Sequence, residues 1–590
     1  MKHQPNGELC TEAFELEVLV SKMKDLMVEY VDEGRKPGAP VVKCKSPEEL
    51  KRLINLDLDY GGTGIEGLIP LIRNVLSYSV NTWNPGFMDK LYAGTNPVGV
   101  ISEMLVTLLN ANSHVYHVSP ALTLIENAVS KSLAKLFGMG EKSGGITCPG
   151  GAFSNQLAMI TARNHMFPEI KTRGYFSFNK KLVIFTSNAG HYSVKKTAIT
   201  LGLGTDCVVE KHWILDIDEI HLKLLEQLIK LSLQRGEVPF FINATAGTTI
   251  LGAFDPLREI GKIAKQYNIW FHVDGSWGGS LVFSEKYKSR IDGSDLADSL
   301  VINPHKMLGT PLQCSFLLAQ NSQIFAHANS LGAEYLFHQD GSDSWNSQYD
   351  LGDRWKIFGI EGYRLKIEHS FKMSEYLLRR LKVSKRFRLV LEEPENLQIC
   401  FWYIPEGIEE CWFVIREDEE CLDCNGGDRA SFGARNGNVI SSGMVNGGGY
   451  GQKENDASSG MNGNGYELKV NGENGNHVDQ SSRRYGYLQK YIIFKHKLSN
   501  ITKEIHHRIR KNGKYMFDYS PVTLRNLELP LFFRVVVNSP AINEKFLDGL
   551  VEEIERIGEE VTMWFAENER KREWGEDEDP ENVSEIESMD

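Results

Sequence analysis

The sequence predicts an α/β fold with a mainly parallel, covered sheet. Two observations carry that prediction. Between about residues 86 and 355, short apolar runs rich in β-formers alternate with stretches of helical periodicity. The residues best suited to chemistry fall at, or just after, the carboxyl ends of those runs, where parallel sheets bind their ligands.

The elements follow in order. Residues 12–34 and 47–82 carry apolar positions at helical spacing and read as an N-terminal helical segment, 1–85. It is either an arm that packs on a partner subunit or a local packing element. The expected strands are 181–186, 240–244, 269–274, 299–303 and 315–319, and 255–267 is a helix between two of them. These make a large domain over 86–355. A smaller C-terminal α/β domain is expected from 356–410 and 485–566. Phe546, Leu547, Leu550, Val551, Ile554, Ile557 and Val561 mark one face of its closing helix. Residues 411–484 interrupt it with a segment rich in Gly, Asn and Ser, for example Asn446-Gly447-Gly448-Gly449. Such a composition buries too little apolar surface to offset the entropy of ordering, so it reads as a disordered insertion. The acidic stretch 567–590 reads as a disordered tail.

Composition limits the function. The chain has 590 residues, 41% of them hydrophobic, which is enough for a large core. A net charge of −13 gives no case for nucleic-acid binding. Nine cysteines show no framework spacing, and Cys421 with Cys424 forms a CxxC lacking a second pair for zinc. No apolar stretch is long enough to span a membrane, and the first ten residues are polar. A cytoplasmic protein without a metal site is expected.

The chemistry centres on Asn303-Pro304-His305-Lys306, which follows Ser299-Leu300-Val301-Ile302. A lysine in a tight turn after a buried strand reaches into a cleft, and a buried lysine can lose its proton and attack a carbonyl. Asp274 ends the run that begins at Ile269, and His191 lies in the loop beyond Leu182-Val183-Ile184-Phe185. Pro149-Gly150-Gly151-Ala152-Phe153-Ser154-Asn155 precedes a helical run, and glycines there let backbone amides approach a phosphate. A Schiff-base lysine, an acid for a pyridinium nitrogen and a flat imidazole are the parts of a pyridoxal 5'-phosphate site.

Taken together, these segments resemble the group II pyridoxal phosphate-dependent amino-acid decarboxylases, in particular the glutamate, cysteine sulfinate and aspartate branch. Further matching segments are Gly190-His191-Tyr192-Ser193, NATAGTT at 243–249, His272-Val273-Asp274, Leu312-Gln313-Cys314-Ser315, CFWYIP at 400–405 and Phe532-Phe533-Arg534. The resemblance implies a type I aminotransferase-like fold with a large seven-stranded sheet and a homodimer with sites at the subunit interface. It implies that Lys306 carries the cofactor, Asp274 pairs with the ring nitrogen, His191 stacks on the ring and Thr249 supports Asp274. Gly151 and Ala152 would lie at the phosphate. Ser276, Asn303 and His305 would complete the cofactor site. Arg534 would grip the substrate carboxylate, its planar fork suiting the anion. Tyr335 would return a proton to the substrate α-carbon.

The chain also departs from that family. In Phe87-Met88-Asp89-Lys90-Leu91-Tyr92, Lys90 stands where the glutamate enzymes have glutamine, and Tyr92 where they have a small serine. A lysine adds charge for an acidic side chain, and a tyrosine takes space. The tyrosine favours aspartate or cysteine sulfinate over the longer glutamate, and the lysine favours an acidic side chain unless it points to solvent. Asp274-Gly275-Ser276-Trp277 replaces the usual DAAW, so Ser276 packs under the ring, with less rigidity expected at Gly275. After Tyr349–Asp353 (YDLGD), Arg354-Trp355 leads directly into Lys356-Ile357, about sixteen residues short of the family pattern. That loss favours an alternative, a catalytically impaired homologue with a dimerisation or scaffolding role. A third reading, a pyridoxal enzyme acting on an aromatic substrate, is disfavoured by Lys90.

Overall fold

The computed structural model describes residues 12–56, 64–111, 116, 118–211, 219–330, 352–406, 480–524 and 527–573. Its larger sheet has seven strands: β1 (Gly144–Cys148), β2 (Leu182–Ser187), β3 (Val208–Lys211), β4 (Val238–Thr245), β5 (Trp270–Gly275), β6 (Ser299–Ile302) and β7 (Ser315–Ala319). They lie in the order β1-β7-β6-β5-β4-β2-β3. The five from β3 to β6 pair in parallel, and β7 runs antiparallel between β6 and β1.

Successive side chains of a strand point to opposite faces, and the core divides accordingly. Val183, Phe185, Phe271, Val273 and Leu300 belong to one buried cluster, whereas Leu182, Ile184, Trp270 and Val301 belong to another. Both faces are covered, which is why these strands read as apolar runs. The expected strands match β2, β4, β5, β6 and β7, and the expected helix at 255–267 is Leu257–Gln266.

A second, antiparallel sheet joins β8 (Phe387–Leu389), β9 (Gln398–Tyr403), β10 (Asp518–Ser520) and β13 (Phe532–Val536) in the order β10-β13-β9-β8. The strands β11 (Thr523–Leu524) and β12 (Leu527–Glu528) form a separate ribbon. Ile399, Phe401, Phe533 and Val535 pack with Leu377 and Leu381, with Ile501 and Ile505, and with Leu547 through Val561. These come from helices Gly352–Val383, Gln480–Asn512 and Glu544–Glu573. The chain divides into two compact units, 1–408 with 495–590, and 409–494; within the second, the described residues are 480–494, in helix.

Several sequence expectations are revised. The single helix over 47–82 is two, Pro47–Ile54 and Gly64–Tyr78, because Asn55 turns into the left-handed region at φ 53°. The closing helix runs to Glu573, past the expected start of the tail at 567, since Glu, Lys and Arg are good helix formers. The junction at Arg354-Trp355 lies near the start of helix Gly352–Val383, which breaks at Gly359 (φ 59°). The insertion core at 411–479, the CxxC and Tyr335 lie outside the described residues. Among the described residues, no helix is long and apolar enough to cross a membrane.

Candidate active site

The carboxyl ends of β4, β5 and β6 open into a cavity of about 280 Å³. Its lining includes Gly151, Ala152, His191, Thr249, Asp274, Ser276, Asn303, His305 and Lys306. Nine of the residues singled out from sequence thus meet in one place, although they span more than 150 positions.

Local structure explains each placement. Helix Gly151–Met166 starts directly after β1 and Pro149, with Gly150 at φ 100° as its cap and no side chain covering the first amides. A Cβ on Gly151 would come within 2.6 Å of both Ser276 Oγ and Asn303 Nδ2. The backbone there is pressed against two polar side chains, an approach only glycine permits. Asn303 is buried and its Oδ1 has no hydrogen-bond partner among the described residues. Lys306 follows in a turn closed by its N–H to Asn303 O at 3.0 Å. Asn538 braces that turn by donating to Lys306 O at 3.2 Å. His305 turns away, its Nδ1 2.6 Å from Cys314 O, and burial lowers its pKa to about 4.

The electrostatics divide along the cavity. Burial holds the Lys306 amine below the usual lysine range, although the nearby Asp274 opposes the shift. Burial alone would push Asp274 up. The hydrogen bond from Ser276 outweighs it, together with the charge of Lys306 and the amide of Asn155, and the carboxyl stays below its ordinary value. Burial also lowers His191, with Lys306 adding to the effect and Asp274 opposing it.

Thr249 lines the cavity but is not what holds Asp274. The hydrogen bonds on that carboxylate come from Asn155 Nδ2 at 2.8 Å and the Ser276 N–H at 3.1 Å. Asn155 belongs to a chain of buried groups that sequence reading did not single out. Trp270 Nε1 donates to Ser299 Oγ (2.9 Å), which faces His272 Nδ1 at 2.8 Å, and His272 Nε2 faces Asn155 Oδ1 at 3.0 Å. An indole is only a donor and a carboxylate only an acceptor, so every bond in this chain runs one way, from Trp270 to Asp274. Neutral His272, with its pKa pushed down by burial to about 4, carries its proton on Nε2.

Ser276 is buried beside the cavity, and Gly275 is no loose point. A Cβ there would lie 2.8 Å from Val301 O, so the close strand contact itself requires glycine. Arg534, Lys90 and Tyr92 do not line the cavity. Arg534 is buried behind Thr249, donating to Thr249 O (3.1 Å), Asp89 O (3.1 Å) and Asp518 Oδ2 (2.9 Å). Lys90 is half-exposed and faces Asp89 and Asp518, each at 3.3 Å. Tyr92 packs its ring 5.6 Å from that of Phe87.

Residues 47–404 match a family described as Pyridoxal-dependent decarboxylase conserved domain. L-aspartate decarboxylase dtxS4 of Metarhizium robertsii is 44% identical over 394 residues, which are 64% of this chain and 78% of that protein. The crystal structure of mouse CSAD is similar at 29% identity and a TM-score of 0.73, covering 93% of this chain and 99% of that one. The glutamate decarboxylase domain of a diaminobutyrate-pyruvate transaminase and L-2,4-diaminobutyrate decarboxylase from Vibrio parahaemolyticus, 19% identical with a TM-score of 0.68, shares the fold; the match covers 94% of this chain and 97% of that one.

Proposed function

The chain belongs to the pyridoxal-dependent decarboxylase family, a carboxy-lyase with pyridoxal phosphate as cofactor, and we propose that it decarboxylates a short acidic amino acid, aspartate or cysteine sulfinate before glutamate. The observation that carries this reading is Arg534, buried behind the cavity-lining Thr249 beside the Lys306–Asp274 site, with its Nε–H unpartnered among the described residues. The 44% identity to an L-aspartate decarboxylase and the likeness to mouse cysteine sulfinic acid decarboxylase support the acidic substrate.

The cavity suits the cofactor. The open backbone amides at Gly151 and Ala152, at the start of a helix whose glycine cap has no side chain, fit a phosphate end that brings acceptors. When bound, the cofactor accepts the electron pair left as carbon dioxide departs. The remaining roles fall to the chain. Lys306, its amine held below the usual lysine range by burial, would be the nucleophile that anchors the cofactor. Asp274, held below its ordinary carboxyl range by Asn155 and Ser276, would keep the cofactor's ring nitrogen protonated. His191 would offer a flat face to the cofactor ring, and Ser276, which lines the same cavity, would pack against it. Thr249 and His305 shape the walls. Arg534 orients the substrate carboxylate, with Lys90 adding positive charge and Tyr92 limiting length. Tyr335 delivers a proton to the α-carbon. Positioning of this kind is what the protein contributes to rate.

A homodimer fits the N-terminal helices. Helix Glu12–Arg35 buries only Leu26 and Gly34 among its described residues and exposes Phe14, Leu16, Val20 and Val28. Helix Pro97–Leu109 exposes Ile101, Leu105 and Leu108. Apolar surface of that extent fits a second copy of the chain. Cytoplasmic location remains part of this reading.

Mass-spectrometric product analysis tests the substrate. Incubation with aspartate, cysteine sulfinate and glutamate should yield the amine of one of the two shorter acids in excess. Turnover of glutamate alone, or of tryptophan or tyrosine instead, would overturn the assignment.

A further inference from the structure

Behind Thr249, two cations and two carboxylates gather: Arg534 and Lys90, Asp89 and Asp518. Asp518 on β10 stands directly opposite Arg534 on β13. Its Oδ1 accepts the Tyr519 N–H at 2.9 Å, which steadies the carboxylate. Its Oδ2 is shared, lying 2.9 Å from Arg534 Nη2 and 3.3 Å from Lys90 Nζ.

The donor count on Arg534 gives this sharing a consequence. Each Nη carries two hydrogens. Nη2 uses both, on Asp89 O and Asp518 Oδ2. Nη1 uses one on Thr249 O, and the buried Nε–H has no partner among the described residues. Both planar forks of a guanidinium, Nη1 with Nη2 and Nε with Nη2, need a hydrogen on Nη2. A substrate carboxylate can therefore be held by two parallel bonds only if Nη2 releases an acceptor. The Asp89 carbonyl is backbone and fixed. The Asp518 carboxylate is on a rotatable side chain and already touches a second cation.

We propose that Asp518 is a specificity-determining residue whose carboxylate competes with the substrate's carboxylate for Arg534, Lys90 retaining Asp518 when it is displaced. This rests on Arg534 being the carboxylate site. The exchange replaces one anion by another on Arg534, so that cation is never left unpaired in a buried place. It also raises a threshold. A simple carboxylate has to displace Asp518 with nothing else to offer, whereas an amino acid held elsewhere in the site brings further contacts. Competition of this kind selects by disfavouring the wrong ligand.

Asp518→Asn keeps the acceptor for Tyr519 but removes the competing charge. In the holoenzyme it should lower KM for the acidic substrate by about tenfold, the change falling on KM rather than kcat. The dissociation constant of succinate, measured by calorimetry on the same holoenzyme, should fall in parallel. Lys90→Met, at a half-exposed position, should raise both constants, since Asp518 then has Arg534 as its only cation. The double variant should match Asp518→Asn, since Lys90 then has no competing carboxylate to retain. The proposal is overturned if Asp518→Asn leaves or raises both constants, which would make Asp518 a brace for Arg534. It is also overturned if Lys90→Met changes neither. If no acidic amino acid is turned over, the substrate reading fails alone, and the succinate titration still decides the role of Asp518.

Discussion

Asn155 donates its amide N–H to Asp274 across 2.8 Å, joining positions 119 residues apart. Asn155 sits one turn into helix Gly151–Met166, whose first residues form the glycine cradle. One rigid element thus sets the spacing between the cradle and the acid. Because Asn155 Oδ1 also faces His272 Nε2, its amide can be inserted only one way round.

Asn155→Ala should therefore act on stability and on cofactor binding together. It strips one donor from Asp274 and one acceptor from His272, both buried. Such a loss costs roughly 1–3 kcal/mol for groups left unsatisfied. Urea unfolding should report that loss, and a cofactor titration should show weaker binding. Cofactor affinity at the wild-type level would show that Asp274 is oriented without Asn155.

His272 makes stability depend on pH with a definite sign. Its folded pKa of about 4 lies below the ordinary 6.5, so the unfolded chain takes up the proton first. Its contribution is full above about pH 6.5 and is lost as pH falls toward 4. The loss is on the order of 3 kcal/mol at the lower end. His272→Gln, which cannot titrate, should flatten the unfolding free energy between pH 6.5 and 4 relative to wild type. Parallel pH profiles for the two proteins would contradict the assignment.

Gly151→Ala tests the cradle. The added Cβ would meet Ser276 Oγ and Asn303 Nδ2 at 2.6 Å, so both side chains must shift. Cofactor affinity should fall by about tenfold, a cost near 1.4 kcal/mol, while the far-UV circular dichroism stays that of the wild type. Unchanged affinity would move the phosphate away from Gly151.

Lys306→Ala should abolish the borohydride-reducible cofactor adduct. Peptide mapping after reduction would find the adduct on Lys306 in the wild type and nowhere in the variant. A modified lysine elsewhere in the variant would refute the role.

Much of this was legible from residues alone, for identifiable reasons. The runs around Phe241, Phe271 and Val301 are buried on both faces, so they read as strands. β1 did not, because Gly144-Gly145-Ile146-Thr147-Cys148 has two glycines and no apolar run; β3 is only four residues long. The antiparallel direction of β7 is a property of its pairing with β1 and β6, and nothing in its composition encodes it. Lys306, Asp274 and His191 stand out in the sequence because each ends or follows a strand, and all three line the cavity. The hydrogen bonds of Asn155, Ser299 and Trp270 join distant segments, so sequence does not show them. The same holds for Asp518: only the register of β10 on β13 places it opposite Arg534.

The most direct test of the account is carbon dioxide release by the purified holoenzyme, measured beside Lys306→Ala. Wild type should release it from aspartate or cysteine sulfinate, and Lys306→Ala should release none above the uncatalysed rate. Equal release by the two proteins, or none from any acidic amino acid by a wild type that carries its cofactor on Lys306, would contradict the central claim.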